Sequence, residues 1–482
     1  MLPQQFLTEV GEEVAAPDET SNQTNPTGQA ADVTLLTPRA AQMRRIFTEV
    51  EGNLPFRRGD AFKGMLTFTD NDEEPIHRWF YYKEGYSRRL VNQVLNLYPT
   101  PPEYPAVLDP FCGAGTTLLE VQAHGRPAVG VELNPFAAFL SQVKTSWNKI
   151  NSEQLASALD KALVEAKNTN TNLPELTTFH NTDYFPHRNA HKWFNLRDAI
   201  IRRQCTPEIK NALLLALAST LEDISCLHKD GRLLRYLPRD VISPREALCR
   251  RIEEMTADLQ AMADKPSGNV SVFRGDARNL KAAFNDHKPP KFGMILYSPP
   301  YLNNFDYSEI YKCELWLLGM LNSYDEWRRL RQSTFRSHPS CRFASTTHLK
   351  DNVALREVHR LVEQAARCPN IGNSAQKTMP DVLRGYFDDA AMPLQEQIEL
   401  LAPRGYIICV VGNSKHGALH ISTDTLIAKI GKALGLELVE IYVGKYRYSR
   451  KEKNHKLRES LVVFRKAAGN FNGFTRSKPE CS

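Results

Sequence analysis

Two short stretches hold the residues best suited to chemistry: Ser298-Pro299-Pro300-Tyr301 and, far upstream, Asp109-Pro110-Phe111-Cys112-Gly113-Ala114-Gly115-Thr116-Thr117. In the first, the Ser298 hydroxyl oxygen and the Pro299 carbonyl are two acceptors in a stiff loop whose prolines have no backbone N–H to occupy them. An aromatic amine is a poor nucleophile because its lone pair is delocalised into the ring, and acceptors aimed at both N–H bonds would help localise it. Tyr301 would offer a stacking face to a heterocycle swung out of its helix. Taken alone, Ser-Pro-Pro-Tyr is also what a strand-ending turn with a packed tyrosine looks like.

In the upstream stretch Gly113 and Gly115 let the backbone approach a ligand closely. Glu132 closes the next apolar run, Ala128–Glu132, where an acid can accept two hydroxyl protons from a ribose. A nicotinamide-binding fingerprint would need a third glycine where this chain has Leu118, and no P-loop lysine follows.

The elements that must position these residues follow from the apolar runs. Phe292–Tyr297 reads as a buried strand with Ser298 at its carboxyl end, the edge at which open α/β sheets place their chemistry. Seven strands are expected: 106–109, 128–132, 270–273, 292–297, 406–411, 436–443 and 460–465. The last two lack a crossover helix between them and must pair antiparallel, so the fold class is α/β with a mostly parallel sheet and one antiparallel strand. A helix should start at Arg88 with Ser87 as its N-cap, and Leu155–Ala166, Pro207–Leu227 and Asp306–Leu321 read as helical. The aromatic cluster Trp79, Phe80, Tyr81 and Tyr82 reads as cover for a ligand or as a plug beneath the next strand.

The expected organisation is a disordered acidic tail (1–35), a part carrying the glycine loop (36–148), a mainly helical insertion (149–268), a part carrying Ser298 (269–320), a basic, helical region (321–400), C-terminal strands (401–468) and a tail (469–482). The net charge of +6 understates the body's basicity, because residues 1–36 hold six acids and no Lys or Arg, which leaves +12 elsewhere. Such a body suits a polyanionic partner, or is simply well solvated. Residues 321–350 carry Arg328, Arg329, Arg331, Arg336, Arg342 and Lys350 among Tyr324, Trp327, Phe335 and His338, a pattern suited to phosphate contact and target recognition. The connection Gly444–Glu459, with Lys445, Arg447, Arg450 and Lys451, suits phosphate or is a flexible hairpin, and Lys229, Arg232, Arg235 and Arg239 are a competing channel lining. Nine scattered cysteines without a C-x-x-C pair argue against a disulfide framework and a zinc site, so no metal is expected. No apolar run reaches the ~18 residues of a membrane span and no signal sequence opens the chain, so a cytoplasmic protein is expected.

Together, Asp109–Thr117 and Ser298–Tyr301 resemble the cofactor and catalytic motifs of the cytosine-N4 and adenine-N6 DNA methyltransferases. The resemblance implies a Rossmann-like methyltransferase sheet, S-adenosyl-L-methionine as cofactor, double-stranded DNA as substrate near the nucleoid, and a cognate restriction endonuclease acting separately. It implies that Asp109, Pro110, Phe111, Gly113, Gly115, Thr116, Thr117 and Glu132 hold the cofactor, that Tyr82 and Lys83 belong to an aromatic cofactor element, and that Asp276 contacts the cofactor's adenine amine; an Asp there is also a common turn residue. In that family Ser at the first tetrapeptide position is associated with cytosine, and Asp or Asn with adenine. Ser298 therefore points to cytosine N4, with adenine N6 as the alternative. A cytosine-C5 mechanism would need a thiol in a Pro-Cys context, whereas Cys368 precedes Pro369. An RNA base methyltransferase would use the same loops, and a non-catalytic nucleic-acid-binding protein on a relict fold is a third reading.

Overall fold

A computed structural model describes residues 38–173, 184–230, 233–284, 287–368, 378–417, 419–449 and 452–468. Both expected tails, Arg232, Arg450 and Lys451 lie outside the described residues. The central sheet has eight strands in the spatial order Phe56–Arg58, Glu437–Ser449, Glu452–Arg465, Leu401–Gly412, Phe292–Tyr297, Val107–Asp109, Ala128–Glu132 and Val270–Arg274. Glu452–Arg465 runs antiparallel to both its neighbours, and every other neighbouring pair is parallel.

Side chains along the central strands alternate between two apolar layers, as the period of two requires. Leu108, Ile295 and Ile407 face a layer that includes Phe47, Leu394 and Ile427 from three helices, Pro38–Glu51, Met379–Leu400 and Thr423–Ala433. Val107, Met294, Leu296 and Ile408 face the other layer, with Leu90, Val94, Leu118 and Val121 from helices Arg88–Leu97 and Thr116–Ala123. Every residue of Phe292–Tyr297 is buried, the signature of a strand covered on both faces. The helix at Arg88 is capped as expected, with the Ser87 hydroxyl accepting from the Arg89 N–H. Among the described residues no helix is long and apolar enough to cross a membrane.

The seven expected strands are present and an eighth joins them. Phe56–Arg58 pairs with Ile441–Val443, but a three-residue Phe-Arg-Arg strand is too short and too charged to leave an alternating pattern. The expected connection at 444–459 is instead mostly strand: Lys445 pairs with Glu459 and Arg447 with Leu457, so the hairpin is a long ladder. The insertion holds helices Ser152–Lys167, His187–Arg202, Pro207–Ser219 and Pro244–Met262 and a hairpin, Leu227–Asp230 with Leu233–Tyr236. The helix from Pro207 stops at Ser219 rather than Leu227, where the Thr220 and Ser225 hydroxyls turn back onto the carbonyls of Leu217 and Leu221.

Several basic residues expected to contact nucleic acid are structural. Lys229 pairs with the buried Glu314 and lies over the rings of Phe80 and Tyr311, at 5.1 and 5.0 Å. Arg239 ties down the carbonyls of Ser225 and Leu227, whereas Arg235 stays exposed in a surface pair with Asp230. Arg331 is bound to Asp306 at 2.5 Å and lies over Trp327. Arg336 is 5% exposed and grips Asp389 with Nε and Nη2, at 2.9 and 2.6 Å. A buried ion pair that loses one partner leaves an uncompensated charge, so Arg336→Ala should cost about 3–5 kcal/mol of stability. The exposed Arg328 and Arg329 should tolerate Ala within about 0.5 kcal/mol. Chemical denaturation of the three variants checks the contrast.

Candidate active site

Val107–Asp109 and Phe292–Tyr297 are adjacent parallel strands in the register Leu108↔Ile295, so both loops leave the sheet at the same edge. They line one cavity of about 520 Å³. Its walls include Tyr82, Lys83, Asp109, Pro110, Phe111, Gly113, Thr116, Thr117, Glu132 and Asp276, together with Ser298, Pro299, Pro300 and Tyr301. Gly115 is not among the lining residues. It sits at φ +81° as the N-cap of the following helix, and a Cβ there would stand 3.1 Å from Ser141 Oγ, so it makes the turn.

At one end the glycine loop is built around carboxyls. Gly113 adopts φ +49°, and a Cβ would stand 3.2 Å from the Tyr82 ring, so backbone and ring approach as only glycine permits. The Gly113 and Asn134 N–H groups donate to the two Glu132 oxygens at 3.0 and 2.8 Å, which fixes the carboxylate's orientation and leaves lone pairs for further donors. Burial raises the Glu132 pKa. Asp109 is 3% exposed and accepts from the Phe111 N–H at 3.0 Å, and burial pushes its carboxyl up to about 7. Glu84, which sequence reasoning did not single out, also lines the cavity; it accepts from the Tyr311 hydroxyl at 2.5 Å, and burial raises its pKa too. Burial likewise pushes up the Cys112 thiol, which keeps it protonated and unreactive. Three carboxyls lining one cavity, Glu84 and Glu132 of them beside Tyr82, suit a cationic ligand.

The aromatic cluster is divided between the two expectations. Trp79 and Phe80 are buried in the core, Tyr81 is exposed, and Tyr82 stacks on Tyr311 with centroids 4.9 Å apart and planes 1° apart. Lys83 is exposed at the cavity wall. Asp276 reaches the cavity, but its carboxylate is held by Arg278, whose Nε lies 3.0 Å from both oxygens and whose Nη2 lies 2.6 Å from Oδ2. Arg278 also reaches Asp389 at 3.0 Å. Asp276 therefore shares its acceptors with an arginine that spacing alone did not reveal.

At the other end Ser298 Oγ donates to the Val410 carbonyl at 3.1 Å and also lies within hydrogen-bond reach of the Tyr301 hydroxyl. The Tyr301 hydroxyl donates to Glu459 Oε1 at 2.9 Å. Lys445 and Arg447 line the cavity from the hairpin ladder rather than standing on a surface loop. Arg328 and Arg329 point outward from helix Tyr324–Ser333, whose Leu330 also lines the cavity.

No protein-family model matches the chain. Among solved structures it is similar to an rRNA methyltransferase, aviRa, from Streptomyces viridochromogenes (10% identity, TM-score 0.26, 81% of this chain and 90% of that one). It is also similar to a SAM-dependent methyltransferase from Methanosarcina mazei (8% identity, TM-score 0.28, 78% and 98%). Curated relatives are the type II methyltransferases M.AvaI of Nostoc sp. and Anabaena variabilis (each 26% identical over 443 residues, 83% of this chain and 89% of the relative). Another is M.BsoBI of Geobacillus stearothermophilus (24% over 470 residues, 83% and 88%). The chain's homologues are thus type II methyltransferases, matched along most of their length and most of its own.

Proposed function

We propose that this protein is an S-adenosyl-L-methionine-dependent DNA methyltransferase of a type II restriction–modification system that methylates the exocyclic N4 amine of cytosine in a specific duplex site. The observation that carries the reading is the shared cavity: the glycine loop and Ser298–Tyr301 leave adjacent strands at one edge and face the same space. Ser298, where adenine enzymes of the resembled family carry Asp or Asn, supports cytosine over adenine.

S-adenosyl-L-methionine supplies an electrophilic methyl group on a sulfonium. The residues present fit it: Gly113 gives a close backbone approach beside Tyr82, Glu132 keeps acceptors for ribose hydroxyls, and the carboxyls favour a cation. Ser298 Oγ and the Pro299 carbonyl accept the N–H bonds of the target amine, and Tyr301 stacks on the extruded base. Holding the amine in line supplies much of the acceleration, and the surplus proton leaves the methylated product to solvent, so no strong base is needed. Arg328, Arg329 and Lys445 are the exposed residues proposed to meet phosphates. A cognate endonuclease would act separately.

A cation beside Asp109 stabilises its ionised form. With the free carboxyl near 7, binding should release protons, and affinity should rise as pH climbs from 6 through 7 and level off above it. Calorimetry at pH 6 and 8 checks this; S-adenosylhomocysteine, which lacks the sulfonium charge, should show a shallower dependence.

The function itself is tested by incubating purified protein with labelled methyl donor and host DNA or RNA, digesting, and identifying the labelled nucleoside. N4-methyldeoxycytidine is expected. N6-methyldeoxyadenosine would move the reading to adenine, and label in RNA alone, or none, would overturn it.

A further inference from the structure

Besides Ser298 of its own motif, Tyr301 is held by residues that lie far from it in the sequence. Its hydroxyl donates to Glu459 Oε1 at 2.9 Å, and Glu459 is 6% exposed. The Arg447 guanidinium carbon lies 5.7 Å from the Tyr301 ring centroid, and Arg447 Nη2 donates to the Asn413 carbonyl at 3.1 Å. A Cβ at Gly412 would collide with Arg447 Nη2 and stand 3.0 Å from Tyr301 Cδ2 and Cε2, so the bare backbone of Gly412 is what lets ring and guanidinium pack there. Strand register fixes the group, because Glu459 lies opposite Gly412 on one neighbouring strand and opposite Lys445 on the other.

The pairing inside this group is unusual. Arg447 Nε and Glu459 Oε2 are 3.7 Å apart, beyond hydrogen-bond reach, and Arg447 Nε is buried without a hydrogen-bond partner among the described residues. Two opposite charges serving only each other would close to a direct, preferably bidentate contact. Here the carboxylate is spent on the phenol and the guanidinium on the ring and a carbonyl, so both are oriented by Tyr301.

We propose that Glu459, Arg447 and Gly412 form a clamp that fixes the plane of Tyr301 for stacking on the extruded base, with Glu459 and Arg447 as positioning residues acting through that ring. The clamp rests on the reading of Tyr301 as the stacking face. A ring fixed before the base arrives need not be ordered during the reaction, which is how positioning raises rate. The carboxylate acceptor makes this a charge-assisted hydrogen bond, and the guanidinium adds a cation–π contact.

A double-mutant cycle on the full-length protein tests it, with duplex DNA carrying its own target site and labelled S-adenosyl-L-methionine. Tyr301→Phe and Glu459→Ala should each lower kcat/KM for DNA about tenfold, and together still only about tenfold, because both remove the same hydrogen bond. Cofactor affinity should stay unchanged, and Glu459→Gln, which keeps an acceptor, should recover most of the rate. Gly412→Ala removes none of the three side chains but drives a Cβ into the Arg447 guanidinium and crowds the Tyr301 ring, so it disturbs the clamp at both; it should lose about tenfold as well, which decides the matter if Glu459→Ala does not fold. Losses that multiply to about a hundredfold, or a Gly412→Ala protein at the wild-type rate, would overturn the clamp while leaving the methyltransferase reading intact. A wild-type protein that methylates no DNA would overturn that reading, and the clamp with it.

Discussion

Ser298→Ala should lower the rate of methyl transfer by about 10²–10³-fold, the usual cost of losing one preorganised polar contact to the reacting group. Cofactor affinity should be nearly unchanged. The two effects separate because Ser298 Oγ is tied to Val410 on the neighbouring strand, while Glu132 is tied to Gly113 and Asn134. The substitution removes an acceptor from the amine and touches nothing that holds the donor. It also strips the Val410 carbonyl of its partner, a stability loss of about 1 kcal/mol that a melting curve separates from the chemistry. Single-turnover kinetics with parallel calorimetry makes the measurement. Equal loss of rate and cofactor affinity would mean that the loop is structural.

Glu132→Ala should weaken S-adenosyl-L-methionine binding by about 100-fold. Hydrogen bonds to a charged acceptor contribute about 1.5–3 kcal/mol, and two ribose hydroxyls would lose theirs, partly offset by water. The Gly113 and Asn134 N–H groups lose their acceptor as well, so the loop itself loosens. Calorimetric affinity equal to wild type would contradict the ribose assignment.

How much of this was legible depended on whether a residue's partners lie nearby in the sequence. Strand 292–297 showed itself because full burial demands uninterrupted apolar residues, strand 128–132 because its apolar run is buried along most of its length, and the two loops because each is a consecutive motif. Phe56–Arg58 was invisible because its place is set by an edge pairing with Ile441–Val443. In the basic segment the partners are equally remote in the sequence: Arg331 and Arg336 look available to phosphates until Asp306 and Asp389 are seen beside them. Arg447 and Glu459 were read as members of a charged hairpin, whereas the ladder carries both into the cavity. Glu84 gave a faint signal, an acid set among aromatics between Tyr82 and Tyr86, but only its contact with Tyr311 marks it as part of the site.

The most direct test of the account is a crystal structure of the protein bound to a non-transferable donor analogue and duplex DNA containing its site. The account predicts one cavity holding both: the analogue's ribose on Glu132, and an extruded cytosine whose N4 faces Ser298 Oγ and the Pro299 carbonyl, about 3–3.5 Å from the donor's reactive position. An analogue bound away from the glycine loop, or a target base lodged far from Ser298, would contradict it.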